Sequence, residues 1–205
     1  MSQATATTAA QPGPLTPEHH HELMLAGERA RPIRRAARVA SFNAWATGIL
    51  AALSVPFTLL FFSFSSLLVT AGLAVVAYNE FRGRRQLLAF DPAAAKTLGW
   101  NQLGLLGLII VYCLWSIYTG LNDAGALAAE LQSMPDLQAS LGSTDQLDSL
   151  YRLIVVGLYG TVIVLSIVFQ GLNALYYFTR RRHLEAYVRE TPAWVIDLER
   201  AKHPV

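Results

Sequence analysis

Seven polar side chains stand inside or at the edge of the apolar segments of this chain, where a group that must form hydrogen bonds is costly and is therefore a candidate for function. Six are amides and one is a carboxylate: Asn43, Asn79, Glu80, Asn101, Gln102, Gln170 and Asn173. By residue count, all seven lie towards the same end of their segments. We expect them to form one polar cluster. Such a cluster is suited to bind a lipid headgroup or a small polar ligand, or else to join helices through hydrogen bonds among its own members.

The rest of the sequence offers little catalytic chemistry. It contains no phosphate-binding glycine loop, no serine elbow, no pair of catalytic carboxylates and no zinc-binding helix motif. His19, His20 and His21 are consecutive, so on a helix they would point about 100° apart, whereas helical zinc pairs are spaced i, i+4. The only cysteine, Cys113, has no partner for a disulfide bond. The sequence therefore favours a protein without metal, cofactor or enzymatic activity, with an enzyme that acts on lipids through Glu80 as a distant alternative.

The composition indicates that these side chains are held in a membrane. Apolar residues make up 53% of the 205 residues and charged residues only 15%, against roughly 25% charged residues in soluble domains, and the mean hydropathy is +0.35. The segments 39–79, 97–122 and 153–179 contain no Asp, Glu, Lys or Arg. This pattern excludes a soluble globular enzyme, a disordered protein and a scaffold held by disulfide bonds.

The lengths of the charge-free segments predict four membrane crossings. A helix needs about 20 apolar residues to cross roughly 30 Å of hydrocarbon. The first segment is long enough for two helices, with a tight turn expected near Pro56, and each of the other two is long enough for one. We predict an all-α integral membrane protein with four transmembrane helices, arranged as two helical hairpins. The predicted spans are about 39–57, 59–79, 98–120 and 152–178.

Basic residues predict the orientation of these spans, because Lys and Arg are retained on the cytoplasmic side. They gather at one side of the spans: Arg29, Arg31, Arg34, Arg35, Arg38, Arg82, Arg84, Arg85, Lys96, Arg180, Arg181, Arg182 and Arg189. The loop 121–151 on the other side has no Lys or Arg and carries acidic residues instead. We predict a multi-pass protein of the plasma (inner) membrane with both termini in the cytoplasm and this loop outside.

Three regions follow from this topology. Residues 1–28 are expected to form a disordered N-terminal tail, residues 29–179 the transmembrane domain, and residues 180–205 an amphipathic, basic C-terminal tail. Thr191 precedes Pro192 and is suited to cap a short helix in that tail. The apolar residues of the tail stand at helical spacing: Leu184, Tyr187, Val188, Trp194, Val195 and Leu198.

The charged flanks predict the partners of the chain. A basic amphipathic tail favours the surface of an anionic membrane. Contacts with the membrane surface, including anionic lipid headgroups, are expected at Arg84, Arg85, Arg181, Arg182 and Trp194. Nucleic acid is disfavoured as a partner, because the arginines adjoin the spans, where orientation already explains them. Small residues at four-residue spacing, such as Ala44, Gly48 and Ala52, favour close helix packing within the chain, in a homo-oligomer or with another membrane protein.

The exits of the second and fourth spans match each other at an offset of 97 residues. Ala77, Phe81, Arg84, Arg85, Leu87, Ala89 and Phe90 align with Ala174, Phe178, Arg181, Arg182, Leu184, Ala186 and Tyr187. The entries of the first and third spans also match, as Phe42-Asn43 and Trp100-Asn101. The match indicates parallel repeats related by an axis along the membrane normal. The alternative is chance similarity, because arginines after an aromatic residue are common next to membranes.

These observations favour a non-enzymatic multi-pass membrane protein that acts as an interaction or assembly component. The absence of a charged residue at the predicted middle of the membrane, the small-residue stripes and the basic flanks support this interpretation. The alternative is a small transporter or channel subunit that works as a homo-oligomer, supported by the repeat and the polar cluster.

Overall fold

The chain folds into helices throughout the part that its computed structural model describes, residues 15–60, 63–132 and 144–202, with side chains described for 15–60, 63–122 and 148–202. The helices are α1 (Pro17–Leu60), α2 (Phe64–Leu88), α3 (Ala93–Gln132), α4 (Thr144–Glu190) and α5 (Ala193–Ala201). Helices α1 to α4 each contain a stretch long and apolar enough to cross a membrane. The predictions of an all-helical chain and of four candidate membrane-spanning helices are therefore confirmed.

The four long helices pack as two antiparallel pairs. Helix α1 lies along α2, and α3 lies along α4. The pairs meet where α2 contacts α3 and where α4 contacts α1. Most apolar side chains along the predicted spans face outward. Leu59, Phe64 and Leu153, for example, have about 70% or more of their surface exposed. The pairs therefore present an apolar surface to their surroundings.

Three helices are much longer than a membrane is thick. At about 1.5 Å per residue, α1, α3 and α4 measure roughly 66, 60 and 70 Å, about twice the roughly 30 Å of a hydrocarbon core. Residues 17–38 of α1 and 180–190 of α4 extend beyond the charge-free segments on the same side. We call this side, with the turn between α2 and α3 and with helix α5, the basic end.

The best-packed core of the described chain lies at the basic end. Its alanines recur on one face of α1, which lets neighbouring helices approach closely. The core comprises Ala26, Ala30, Ile33, Ala36, Ala37, Ala40, Leu87, Phe90, Ala94, Leu98, Tyr177, Leu184, Tyr187, Val195 and Ile196. A core is expected wherever helices extend beyond a membrane, because helices in water must bury apolar surface, whereas the apolar faces of spans can contact lipid.

The N-terminal tail and the first turn differ from their predicted positions. Residues 17–28, assigned to a disordered tail, are the first turns of α1, and Ala26 is buried in the core. Residues 1–14 lie outside the described part. The turn expected at Pro56 is absent, because α1 continues through this proline to Leu60. Nearby hydroxyls bond the backbone, as Thr58 Oγ1 donates to the Ser54 carbonyl over 2.9 Å.

The C-terminal residues also depart from the prediction. Residues 180–190 continue α4 without a break and do not form a separate helix. Thr191 is not the N-cap of α5: that position is Pro192, and no side chain caps the helix. On α5, Val195 and Ile196 are buried while Trp194 and Leu198 stay more than a third exposed. The apolar residues of this region therefore belong to a core shared with α1, and Tyr187 stacks on Phe90 in the turn between α2 and α3.

The turn between α2 and α3 is short and closely bonded. The N–H of Phe90 donates to the Leu87 carbonyl and that of Asp91 to the Gln86 carbonyl, over 3.1 and 3.0 Å. This is the Schellman pattern, which places one residue in the left-handed region, and here that residue is Phe90 with φ 55°. The Asp91 carboxylate then accepts from the Ala93 N–H at the start of α3. The turn thereby fixes the register of α2 against α3.

Candidate functional site: a buried polar hub joining four helices

A carboxylate without solvent exposure lies where the two helix pairs meet. Glu80 has 0% exposed surface. Its Oε1 accepts from Asn101 Nδ2 over 3.0 Å and from Gln102 Nε2 over 2.7 Å. Its Oε2 accepts from the Tyr177 hydroxyl over 3.4 Å. The three donors come from α3 and α4, so Glu80 on α2 connects the first helix pair to the second.

Further hydrogen bonds extend this arrangement to all four long helices. Asn43 Nδ2 on α1 donates to the Tyr177 hydroxyl over 3.2 Å. Asn79 Nδ2 on α2 donates to Asn101 Oδ1, also over 3.2 Å. Asn101 Nδ2 additionally donates to the Val76 carbonyl over 3.0 Å. We call this network the polar hub: Asn43, Asn79, Glu80, Asn101, Gln102 and Tyr177.

Helical spacing and one glycine position the hub. Asn101 and Gln102 follow Leu98 by three and four residues, which is about one helical turn of 3.6 residues. Leu98 is buried in the core. Gly83 lies nearly one turn beyond Glu80 on α2, and a Cβ at Gly83 would come within 2.5 Å of the Leu98 side chain. The absence of a side chain at this glycine therefore allows α2 and α3 to approach closely enough for their polar residues to meet.

The structure brings together five of the seven residues predicted to form the cluster. Gln170 and Asn173 make no hydrogen bond to the hub, and the Gln170 Oε1 is buried without a partner in the described structure. Sequence reasoning missed Tyr177, which belongs to an aromatic run typical of a membrane interface. A signal was present, because the offset of 97 residues pairs Tyr177 with Glu80.

The hub is built for cohesion between helices. The donors to Glu80 are two amides and one hydroxyl, and among the described residues no Lys or Arg forms an ion pair with it. A buried carboxylate without these donors would be strongly unfavourable. The hub residues interact with one another through hydrogen bonds.

One edge of the hub reaches a groove between α2 and α3. The groove has a volume of about 720 Å³, and Asn79 and Asn101 form part of its wall. Lys96 and Thr97 also line it, together with apolar groups and the backbone of Gly104. A Cβ at Gly104 would meet no atom within 4 Å. The groove is thus open beside this glycine.

The residues predicted to contact the membrane surface have different surroundings. Arg85 and Arg182 are exposed, and Arg84 is half-buried between α1 and α2. Arg181 forms an ion pair with Glu185, with 2.6 Å between Nε and Oε1. Trp194 contacts α1, since its Nε1 donates to Glu22 Oε2 over 3.2 Å.

The histidine run has a packing role at its first member. The ring of His19 meets the ring of Trp194 edge-on, with 5.2 Å between their centroids. Among the described residues no group of three or more His, Cys, Asp and Glu side chains is placed to hold a metal ion.

The fold and the hub together define an all-helical protein with four candidate membrane-spanning helices, joined near one end by buried hydrogen bonds. Comparison with protein-family models, curated protein sequences and solved structures finds no match.

Proposed function

We propose that the chain is a non-enzymatic membrane protein that serves as an interaction or assembly component, with its basic end in the cytoplasm. One observation carries the proposal: the basic end is a packed helical body continuous with the candidate spans. Its core draws on all five helices and on Phe90 of the α2–α3 turn. A body of this kind holds a docking surface at a fixed distance from the bilayer.

Exposed apolar side chains on the basic end are candidates for that docking surface. Met24 on α1 is 66% exposed and Leu198 on α5 is 42% exposed. Neither belongs to a predicted span, although Leu198 lies in the tail for which contact with the membrane surface is expected. Single exposed apolar side chains are common on protein surfaces, so the two positions serve as probes of the basic end.

Site-specific photo-crosslinking in native membranes tests the assembly role. A photoreactive residue at Met24 or Leu198 is expected to give a discrete adduct with one other membrane-associated protein. The matched control is Phe57, which is 65% exposed but lies within a predicted span, and it should give lipid adducts only. Adducts from all three positions to the same range of proteins, or none from the basic end, would contradict the proposal.

The proposed orientation has its own test. A cysteine in place of Ala139, in the loop 121–151, is expected to react with a membrane-impermeant thiol reagent added from outside, in a Cys113→Ala background. Cys113 is the only cysteine of the native chain, so its replacement leaves the introduced thiol as the single labelling site. Reaction only after the reagent gains access to the cytoplasm would reverse the assigned topology.

A second candidate function, a small transporter or channel subunit that works as a homo-oligomer, is favoured by the groove beside Asn79 and Asn101. A substrate would enter this groove and hydrogen-bond the amides. Gly104→Leu fills the groove without meeting another atom at Cβ, so it should leave the fold intact and abolish substrate flux. Unchanged adducts at Met24 in this variant, with no flux in the native protein, would favour the assembly role.

A further inference from the structure

A pocket between α1 and α2 collects arginine side chains at the level where the first charge-free segment begins. Its volume is about 380 Å³. Residues of one α1 face and two residues one turn apart on α2 form its wall: Arg34, Ala37, Arg38, Ser41, Arg84 and Leu88. Arg38 directly precedes the charge-free segment 39–79. The pocket is therefore at the height expected for lipid headgroups.

Two of the three guanidinium groups in this pocket are free to bind an anion. Arg34 forms an ion pair with Glu199, with 2.8 Å between nitrogen and oxygen. Arg38 and Arg84 form no ion pair or hydrogen bond with any residue that the structure describes, and the same holds for the Ser41 hydroxyl. The pocket therefore keeps about two positive charges beside an uncommitted hydroxyl.

The position that matches Arg84 in the second helix pair has different surroundings. Arg84 corresponds to Arg181 at the offset of 97 residues, and Arg181 is neutralised by Glu185 one turn further along α4. The same offset places Leu88 where Glu185 stands in the second pair. The first pair thus lacks the carboxylate that would occupy Arg84.

We propose that this pocket binds the phosphodiester headgroup of one anionic phospholipid. The planar, forked guanidinium groups of Arg38 and Arg84 match phosphate oxygens, and the Ser41 hydroxyl adds a donor. A lipid is favoured over a soluble phosphate because the pocket opens where the apolar surface of α1 and α2 starts, so acyl chains can follow that surface. The inference uses the proposed orientation but not the assembly role.

Thermal unfolding of the full chain in a neutral detergent, titrated with phosphatidylglycerol, measures this binding. A saturable rise in Tm is expected with phosphatidylglycerol and not with phosphatidylcholine. Arg38→Gln and Arg84→Gln should each weaken the apparent affinity by roughly tenfold or more, the loss typical of one charge-assisted hydrogen bond. The matched controls are Arg31→Gln and Arg82→Gln, which remove the same charge from exposed positions outside the pocket and should change affinity by less than about threefold.

Leu88 supplies a sharper pair of variants. Leu88→Glu places a carboxylate one turn after Arg84, as Glu185 follows Arg181 in the second helix pair. This carboxylate should neutralise Arg84 and abolish the response to phosphatidylglycerol. Leu88→Gln has nearly the same size without charge and should retain it. If both Leu88 variants lose the response, the Arg38→Gln and Arg84→Gln variants decide whether the pocket binds the lipid, because they leave Leu88 in place.

Three results would overturn the proposal. Equal loss in the Arg82 and Arg84 variants would mean diffuse attraction to a basic surface. An equal Tm rise with inorganic phosphate or glycerol phosphate would mean a site for a soluble anion. An equal rise with phosphatidylcholine would mean that the charge is irrelevant. The assay contains no partner protein, so its failure leaves the proposed assembly role to its own test.

Discussion

At the scale of single residues, Glu80 bears the largest local demand for hydrogen bonds. Its carboxylate is fully buried and accepts from three neutral donors on two other helices. Each interhelical hydrogen bond in a membrane contributes on average about 0.6 kcal/mol, whereas a buried polar group left without a partner costs about 1–3 kcal/mol. The free-energy cost of removing Glu80 is therefore set mainly by the donors that would be left without an acceptor.

Glu80→Ala is expected to destabilise the protein by about 2 kcal/mol, because Asn101 and Gln102 then keep buried N–H groups without an acceptor. Unfolding in lipid nanodiscs or mixed micelles measures the effect. Asn173→Ala is the matched control: it removes an amide from the same region that makes no hub bond, and it should cost less than about 0.5 kcal/mol. Equal effects of the two substitutions would show that the hub contributes nothing beyond ordinary packing.

Glu199 on α5 gives the basic end a pH dependence. Burial raises the pKa of this carboxyl, but hydrogen bonds and charges from Lys202 and Arg34 outweigh burial and hold the pKa below its usual range. Tyr187, which also lies near Glu199, stays neutral in acid. Because the folded pKa is depressed, the stabilisation is complete above the unfolded pKa of roughly 4.3 and is lost as pH falls through the folded value.

We therefore expect acid to loosen α5. Hydrogen exchange of residues 193–201 should accelerate as pH falls from about 5 to 3, once intrinsic exchange rates are corrected. Glu199→Gln should already show the faster corrected exchange at pH 6 and respond little to acid. An identical acid response in both proteins would assign the transition to other carboxylates.

At the scale of elements, the α2–α3 turn is held by an unusual residue. A non-glycine residue in the left-handed region costs roughly 1 kcal/mol, yet Phe90 occupies it. Its ring stacks on Tyr187 with 4.3 Å between centroids and an interplanar angle of 19°, and Phe90 is 2% exposed. Burial of an aromatic side chain outweighs the backbone cost, since truncation of a buried Phe typically costs 3–5 kcal/mol.

This balance predicts that Phe90→Gly destabilises the protein less than Phe90→Ala, the reverse of the usual order of glycine and alanine. Phe90→Ala should cost about 3 kcal/mol, because it loses the ring and keeps the backbone strain. Phe90→Gly loses the same ring but relieves the strain, so it should be about 1 kcal/mol more stable than Phe90→Ala. Chemical unfolding of both variants checks the order. A more stable alanine variant would mean that the turn relaxes out of the left-handed conformation.

The helices also show how far sequence reasoning reaches. Charge-free segments predicted the number of candidate membrane-spanning helices, because placing charge in hydrocarbon is costly and long segments without charge can be read directly from the sequence. They did not predict the ends of α1 and α4, because those ends are stabilised by tertiary packing of residues such as Ala26 and Leu184 in a core outside the predicted spans. The hub was largely foreseeable from amide positions, whereas Tyr177 was missed because an aromatic residue at a membrane interface already has a common explanation.

At the scale of the whole molecule, residues paired by the repeat contact each other. Glu80 accepts from Tyr177, Phe90 stacks on Tyr187, and each pair is separated by 97 residues. Asn43 donates to Tyr177, and its counterpart Asn101 donates to Glu80. These contacts are those expected where two similar helix pairs meet across a pseudo-two-fold axis, so they favour duplication over chance similarity.

Such an assembly should hold together when the link between its pairs is cut. A protease site inserted between Asp91 and Pro92 lets the folded chain be cleaved in the bilayer, which separates α1 and α2 from α3, α4 and α5. We expect the two fragments to stay associated on purification, because the hub and the core of the basic end both cross the boundary.

Glu80→Ala should weaken this association by roughly 30-fold, the equivalent of about 2 kcal/mol. Asn173→Ala, in the same cleaved background, should leave the association constant nearly unchanged. Fragments that separate at once without any substitution would show that the turn, and not the interface, holds the pairs together. Fragments that stay together equally well without Glu80 would assign the cohesion to the apolar core of the basic end.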